Sequence, residues 1–274
     1  MRAVLSICSG RTGRVAWDLH GDGPGVPVLA LHGVTDSAEC WRPVLPWLAD
    51  GRAVLAVDAR GHGRSDLPAE PFTIAALAAD AAAAVRDAVG RPVVVVGHSM
   101  GGLVAQELAL TAPELVAAVV LEEPAWNRAR EVDDAGVPRW LRGTLRSFVG
   151  RTQAELEERS QRENPGWPAD EHGPWTSSKR QVDQGLADVP HDWAGRVWSE
   201  AVGQIGVPVT LLTGEPARGA IVDAQHVERA HELLGPLLTH VPLIGVGHNV
   251  RREGRAMFVA AVRRVVSAAD SAAG

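Results

Sequence analysis

Residues 91–107 read Arg-Pro-Val-Val-Val-Val-Gly-His-Ser-Met-Gly-Gly-Leu-Val-Ala-Gln-Glu, and they constrain the fold more than any other stretch. Four consecutive β-branched valines, Val93 to Val96, suit a strand buried on both faces of a parallel sheet. Gly97-His98-Ser99-Met100-Gly101 then fits G-x-S-x-G and runs into a helix-forming segment. A strand, a sharp turn and a helix put Ser99 at the tip of the bend. The flanking glycines are needed because side chains would collide across so tight a turn. An exposed hydroxyl at the positive end of a helix is a place where an oxyanion can be held. The five-residue pattern also arises by chance; the valine strand before it and the helix after it give it weight.

The rest of the chain alternates strand and helix. Val4 to Cys8 and Arg14 to Leu19 read as an opening hairpin turning at Gly10 to Gly13. Val28 to Leu31 is a buried strand ending in His32-Gly33-Val34, and Ser37 is placed to cap a helix carrying Trp41, Leu45 and Leu48. Ala53 to Val57 is the next strand, closed by Asp58-Ala59-Arg60-Gly61-His62-Gly63-Arg64-Ser65, a glycine-rich loop in which Asp58 and Ser65 are expected to bond backbone groups. Thr73 caps an alanine-rich helix to about Val89. After the elbow come strands at Val116 to Leu121, Val207 to Leu212 and Leu238 to Leu243, a helix from about Asp223 to Leu234, and a last helix to about Val266. The small, polar tail from Ser267 is expected to fray. This alternation predicts an α/β fold, a parallel sheet with helices on both faces.

Residues 125–204 break the alternation. Trp126, Trp140, Trp167, Trp175, Trp193 and Trp198 fall there among charges and prolines, which reads as a helical lid inserted into a core made of residues 1–124 and 205–274. The tryptophans either form the lid's own core or line an apolar chamber; Trp126, Trp175 and Trp193 are the candidate substrate contacts.

The chain resembles the α/β-hydrolase superfamily. The resemblance rests on His32-Gly33, Asp58-x-x-Gly61-x-Gly63-x-Ser65, Gly97-x-Ser99-x-Gly101 and Gly247-His248, in that order. It implies an eight-stranded, mostly parallel sheet with a lid after strand six, and a nucleophile, an acid and a histidine in that chain order. Ser99 is then the nucleophile and His248 the base; His98 adjoins Ser99, but neighbours on a sharp turn point apart. Backbone N–H groups of Val34 and Met100 would form the oxyanion hole, with His32 shaping its loop.

The acid is the departure. The family's commonest position, three residues after the glycine ending strand seven, is Ala217 here. Glu215 and Asp223 lie nearby, although Asp223 also reads as a helix cap. Leu121-Glu122-Glu123-Pro124 ends strand six, where the resemblance extends to haloalkane dehalogenases and zearalenone lactone hydrolases, which place the acid there. Glu123 is the favoured candidate over Glu215, Asp223 and Glu122, because acids at the end of a buried strand are costly without a use.

These readings predict a cofactor-free serine hydrolase for a carboxylic ester or lactone with an apolar part, working through an acyl-enzyme. Carbon–carbon, amide or thioester hydrolysis with the same residues is the alternative, and a non-catalytic small-ligand receptor is a third. The net charge of −6 and the lack of a basic run argue against nucleic acid as a partner. No H-E-x-x-H or other metal motif occurs, and no run of about 18 apolar residues suggests a membrane span. Cys8 and Cys40 lie far apart without C-x-x-C, which with the short apolar N-terminal run suggests the cytoplasm.

Overall fold

A computed structural model describes residues 6–67, 69–126, 136–192 and 197–274. Eight strands form one sheet in the order β1-β2-β4-β3-β5-β6-β7-β8. They are β1 (Ser6–Thr12), β2 (Val15–His20), β3 (Val28–Leu31), β4 (Val54–Val57), β5 (Val93–His98), β6 (Val116–Glu122), β7 (Val209–Thr213) and β8 (Leu238–Pro242). Pairs from β3 onward are parallel; β2 runs antiparallel to both β1 and β4. The opening hairpin turns more tightly than its glycines suggested. Thr12 pairs with Val15, and Gly10 lies inside β1 opposite Trp17, whose indole fills the space a side chain at Gly10 would need.

Each continuously apolar strand feeds two cores. Val93 and Val95 of β5, with Val119 and Leu121 of β6, face α2 (Ile74–Ala88) and α3 (Met100–Thr111). Val94, Val96, Ala118 and Val120 face the other way, into a cluster with Phe258 and Val262 of the closing helix. The period of two thus sends alternate valines to opposite faces, as burial on both sides requires. Thr73 caps α2 by accepting the Ala76 N–H.

Ser37 does not act as a cap: its hydroxyl has no hydrogen-bond partner among the described residues. Trp41 lies in a 3₁₀ turn, Ala38–Trp41, ahead of the short α1 (Leu45–Leu48). Between β6 and β7 lie α4 (Arg139–Arg146), α5 (Gln153–Glu163), α6 (Ala169–Gln181) and α7 (Trp198–Val202). A capping box between Thr152 and Glu155 opens α5. After β7 come α8 (Ala224–Leu234), α9 (Val250–Glu253) and α10 (Arg255–Ala273). The tail does not fray: α10 runs on because Asp270 pairs with Arg52 at 3.0 Å and accepts the Val26 N–H at 2.6 Å. No described helix is long and apolar enough to cross a membrane.

Candidate active site

Ser99 sits between β5 and α3 at φ 53°, ψ −114°, a conformation that costs a residue with a Cβ free energy. The surroundings enforce it. A Cβ on Gly97 would stand 2.2 Å from the Gly101 carbonyl oxygen, and one on Gly101 would stand 2.2 Å from that of Leu31. The Ser99 N–H donates to the Glu122 carbonyl at 3.0 Å, and the Ser99 carbonyl accepts from Gly102 and Ala125. Backbone bonds on both sides therefore fix the bend that presents the hydroxyl.

The same strand ends carry a buried carboxylate, the one the sequence reading favours as the acid. Glu123 follows β6 at φ 44° and is fully buried. Its Oε2 stands 3.4 Å from His248 Nδ1. Its other lone pairs are filled by backbone donors: Gly214 N–H to Oε1 at 2.9 Å, Ile221 N–H to Oε2 at 2.7 Å, and Val222 N–H to Oε2 at 3.4 Å. A buried carboxylate is tolerable when so many donors converge on it. Gly214 is itself pressed against Gly247, where a Cβ would meet the Gly247 carbonyl oxygen at 2.3 Å, so the β7 loop and the histidine loop are packed backbone to backbone.

The other candidate acids are occupied elsewhere. Glu122 takes the Arg251 N–H at 2.7 Å and its guanidinium at 3.4 Å; burial pushes its carboxyl up, against the pull of Arg251. Asp223 caps α8 by accepting the His226 N–H at 3.0 Å. Glu215 bonds Arg218 and the Gly245 N–H, and Ala217 lies exposed in a 3₁₀ turn.

Ser99 and His248 open onto one cavity of about 470 Å³, together with Gly33, Val34 and Ile221. Among the described residues no hydrogen bond joins Ser99 Oγ to the imidazole; such contacts commonly tighten when substrate binds. The His98 ring lies 4.8 Å from the His248 ring, centroid to centroid, and burial holds His98 well below the usual histidine range. His98 is thus a buried neighbour packed against the His248 ring.

The N–H groups of Val34 and Met100 have no acceptor among the described residues, as oxyanion donors should not. Two histidines brace the loop that carries Val34. His32 Nε2 accepts the Ala59 N–H at 3.0 Å, so its proton is on Nδ1, facing the Gly33 carbonyl at 2.8 Å. His62 Nε2 accepts the Thr35 N–H at 3.0 Å, and its Nδ1 donates to the Arg60 carbonyl at 2.8 Å. Burial holds both rings neutral: His32 is lowered and His62 falls to about 3. Thr35 itself is left-handed, at φ 66°. The Asp58 loop is structural, as its composition suggested: Asp58 accepts the Ala38 N–H at 2.7 Å, and the Ser65 hydroxyl donates to the Asp58 carbonyl at 2.7 Å.

The chain matches the model of the alpha/beta hydrolase fold over residues 26–250. It belongs to the α/β-hydrolase family. Among curated proteins it is similar to "Lipase LipV" of Mycobacterium tuberculosis, 44% identical over 126 residues, which is 43% of this chain and 48% of LipV. The match therefore spans about half the length of that relative. Among solved structures it resembles the esterase RhEst1 from Rhodococcus sp. ECU1013, with a TM-score of 0.72 and 23% identity, covering 97% of this chain and 99% of that one. Est816, described as an N-acyl homoserine lactone degrading enzyme, superposes with a TM-score of 0.70 at 22% identity, covering 94% and 99%. The two structural likenesses extend the shared fold over nearly the whole chain.

Two sequence expectations about the lid need correction or fall outside view. Trp126 does not line the cavity. It is fully buried and stacks on Trp198 of α7 at 4.1 Å, with His226 of α8 beyond, so it joins the lid's last helix to the core. Trp193 lies outside the described residues. Trp175 does line the cavity, beside Trp140, Trp167 and Phe148.

The sequence reading missed the charged part of this wall: Asp36, Arg159, Lys179 and Arg252. Burial alone would raise the Asp36 carboxyl, but Arg252, Lys179 and Arg251 hold it well below the carboxylate range. The visible signal was slight: an Arg251-Arg252 pair just after His248, and an aspartate three residues past Gly33.

Proposed function

We propose that the chain is a cytoplasmic, cofactor-free serine hydrolase that cleaves a carboxylic ester or lactone with an apolar part. The observation that carries this reading is the pairing of buried Glu123 with His248 on the cavity that also holds the strained Ser99. In this reading Ser99 Oγ attacks the carbonyl carbon while His248 Nε2 takes its proton. Glu123 keeps the other ring nitrogen protonated and stabilises the imidazolium. The carbonyl oxygen, now an anion, is held by the Val34 and Met100 N–H groups, each worth about 3 kcal/mol in comparable sites. Collapse expels the alcohol with the proton from His248. Water, deprotonated by the same ring, then cleaves the acyl-enzyme.

The apolar part rests on the aromatic wall of Trp140, Phe148, Trp167 and Trp175. A fluorophosphonate probe on the full chain, followed by a panel of p-nitrophenyl acyl esters, tests the reading. Covalent labelling and turnover, both lost in Ser99→Ala, are expected. An intact chain that neither labels nor turns over any ester would instead be a small-ligand receptor, and the proposal would fall.

A further inference from the structure

The catalytic cavity is aromatic on its lid side, yet its charge is one-sided. Among the described residues, the charged side chains that line it are the cations Arg159, Lys179 and Arg252 and one anion, Asp36. Asp36 is already spent. Its Oδ1 accepts from Lys179 Nζ at 2.8 Å, and its Oδ2 accepts from Arg252 at 2.9 Å and Arg251 at 3.4 Å. The remaining carboxylates of this cluster, Glu122 and Glu171, stand behind the wall rather than on it.

One donor on the wall is left over. Lys179, only 4% exposed, uses two of its three N–H groups, on the Thr35 carbonyl at 2.9 Å and on Asp36. Arg252, only 2% exposed, bonds Asn249 Oδ1 at 2.8 Å and Asp36, and its buried Nε faces Glu171 Oε2 at 3.6 Å as an ion pair, so it adds positive charge to the wall rather than a free donor. A buried cation with an unused donor is costly unless something supplies the missing acceptor. The rings beneath these cations also belong to the wall: Lys179 lies 5.0 Å over Trp175, and Arg252 lies 4.8 Å over Trp167. An apolar chain passing between the rings would carry its far end to the ammonium and the guanidinium.

We infer that this cavity selects esters whose acyl part ends in a carboxylate, taken by Lys179 and Arg252 with Arg159 at the rim. This deepens the serine-hydrolase reading and rests on it. The spacer is short, because Lys179 bonds the carbonyl of Thr35, one residue from the Val34 N–H that would hold the reacting oxygen. Lys179 and Arg252 bind the anion; Thr35 and Asn249 position them.

The test compares two nearly isosteric substrates, ethyl hydrogen glutarate and ethyl 5-methylhexanoate, by pH-stat titration. The glutarate half-ester should be preferred at least about tenfold in kcat/KM, the gain from one charge-assisted hydrogen bond. The preference should shrink toward unity in Lys179→Met, and shrink by less in Arg159→Gln at the rim. If Lys179 only braces the Thr35 loop, its loss slows both esters by the same factor and leaves their ratio intact, which overturns the inference. A wild-type ratio near or below one also overturns it, while leaving Ser99 as a hydrolase nucleophile.

Thermal unfolding with millimolar glutarate, against pentane-1,5-diol as the neutral control, reads the subsite without turnover. A rise in Tm with the dianion alone, lost in Lys179→Met, supports the subsite even if no ester is cleaved; no rise in the wild-type chain overturns it.

Discussion

At the end of β6 the chain bends on Glu123 and offers a carboxylate; at the end of β7, one strand over, it bends at Gly214 and offers bare N–H groups. The two ends have divided one task. In the proposed mechanism His248 needs a negative charge at one point in space, and here the β6 end supplies the carboxylate beside it. With the charge on β6, the loop after β7 is free to donate, and Gly214, Ile221 and Val222 all turn their N–H groups onto Glu123. A missing acid at Ala217 is thus no vacancy, because the same loop works as the clamp on an acid supplied from beside it.

The sharpest way to break that comparison is Glu123→Gln. The charge disappears while the shape persists, and kcat should fall by a factor of about 10³ or more in initial-rate assays. Adding Ala217→Asp to that variant should restore less than about tenfold, since residue 217 is exposed in its 3₁₀ turn. Full recovery would show that either strand can serve and would dissolve the division of labour.

The adjacent Glu122→Gln should separate two acids that look alike in sequence. It strips Arg251 of a buried partner and should cost about 3 kcal/mol in urea unfolding. A larger loss of kcat than of stability would mean that Glu122, not Glu123, serves the histidine.

A third grip holds the loop on the far side of Ser99, and it uses neutral rings instead of charge. His62 titrates at about 3 in the folded chain, through burial above all, against an ordinary value near 6.5. Between those two values the unfolded chain carries the extra proton. Stability is therefore fully present above pH 6.5 and declines as pH falls toward 3, by about 1.4 kcal/mol per pH unit from this group. His32, also lowered, adds a slope of the same sign. Denaturation curves from pH 7 to pH 4.5 should show the decline, and His62→Asn should make it less steep, while His32 and His98, both lowered, keep the remaining slope. Asp36, which is held low, contributes a separate decline only below its ordinary value near 3.8.

The smallest effect belongs to Asp223. As a helix cap its replacement by alanine should cost about 1 kcal/mol of stability and leave kcat within about twofold. A collapse in rate there would return the acid to the β7 side.

Much of this floor was legible in the linear sequence because local rules decide it. Val93 to Val96 fixed a strand buried on two faces, and two glycines that tolerate no Cβ fixed the bend at Ser99. Glu123 could be ranked above Glu122 only by its place two residues past the apolar run; what separates them is which face of the strand end each reaches, one toward His248 and one toward Arg251. The lid was less legible. Its tryptophans have no periodicity that tells stacking from lining, so nothing in the sequence separated Trp126, which stacks on Trp198, from Trp175, which lies on the cavity wall. The cationic wall was barely legible. Lys179 comes from α6, Arg252 from α9 and Asp36 from the loop after β3, and only the tertiary fold brings these three together.

The contact of Asp270 with Arg52 and with the Val26 amide fastens the polypeptide's last helix to the stretch leading into its first parallel strand. Trimming the final turns would therefore loosen the doorway of β3, the strand that carries the chain to Gly33. Anyone shortening this protein for crystallisation or display should stop before reaching that staple, and a fusion appended beyond it would leave the knot tied.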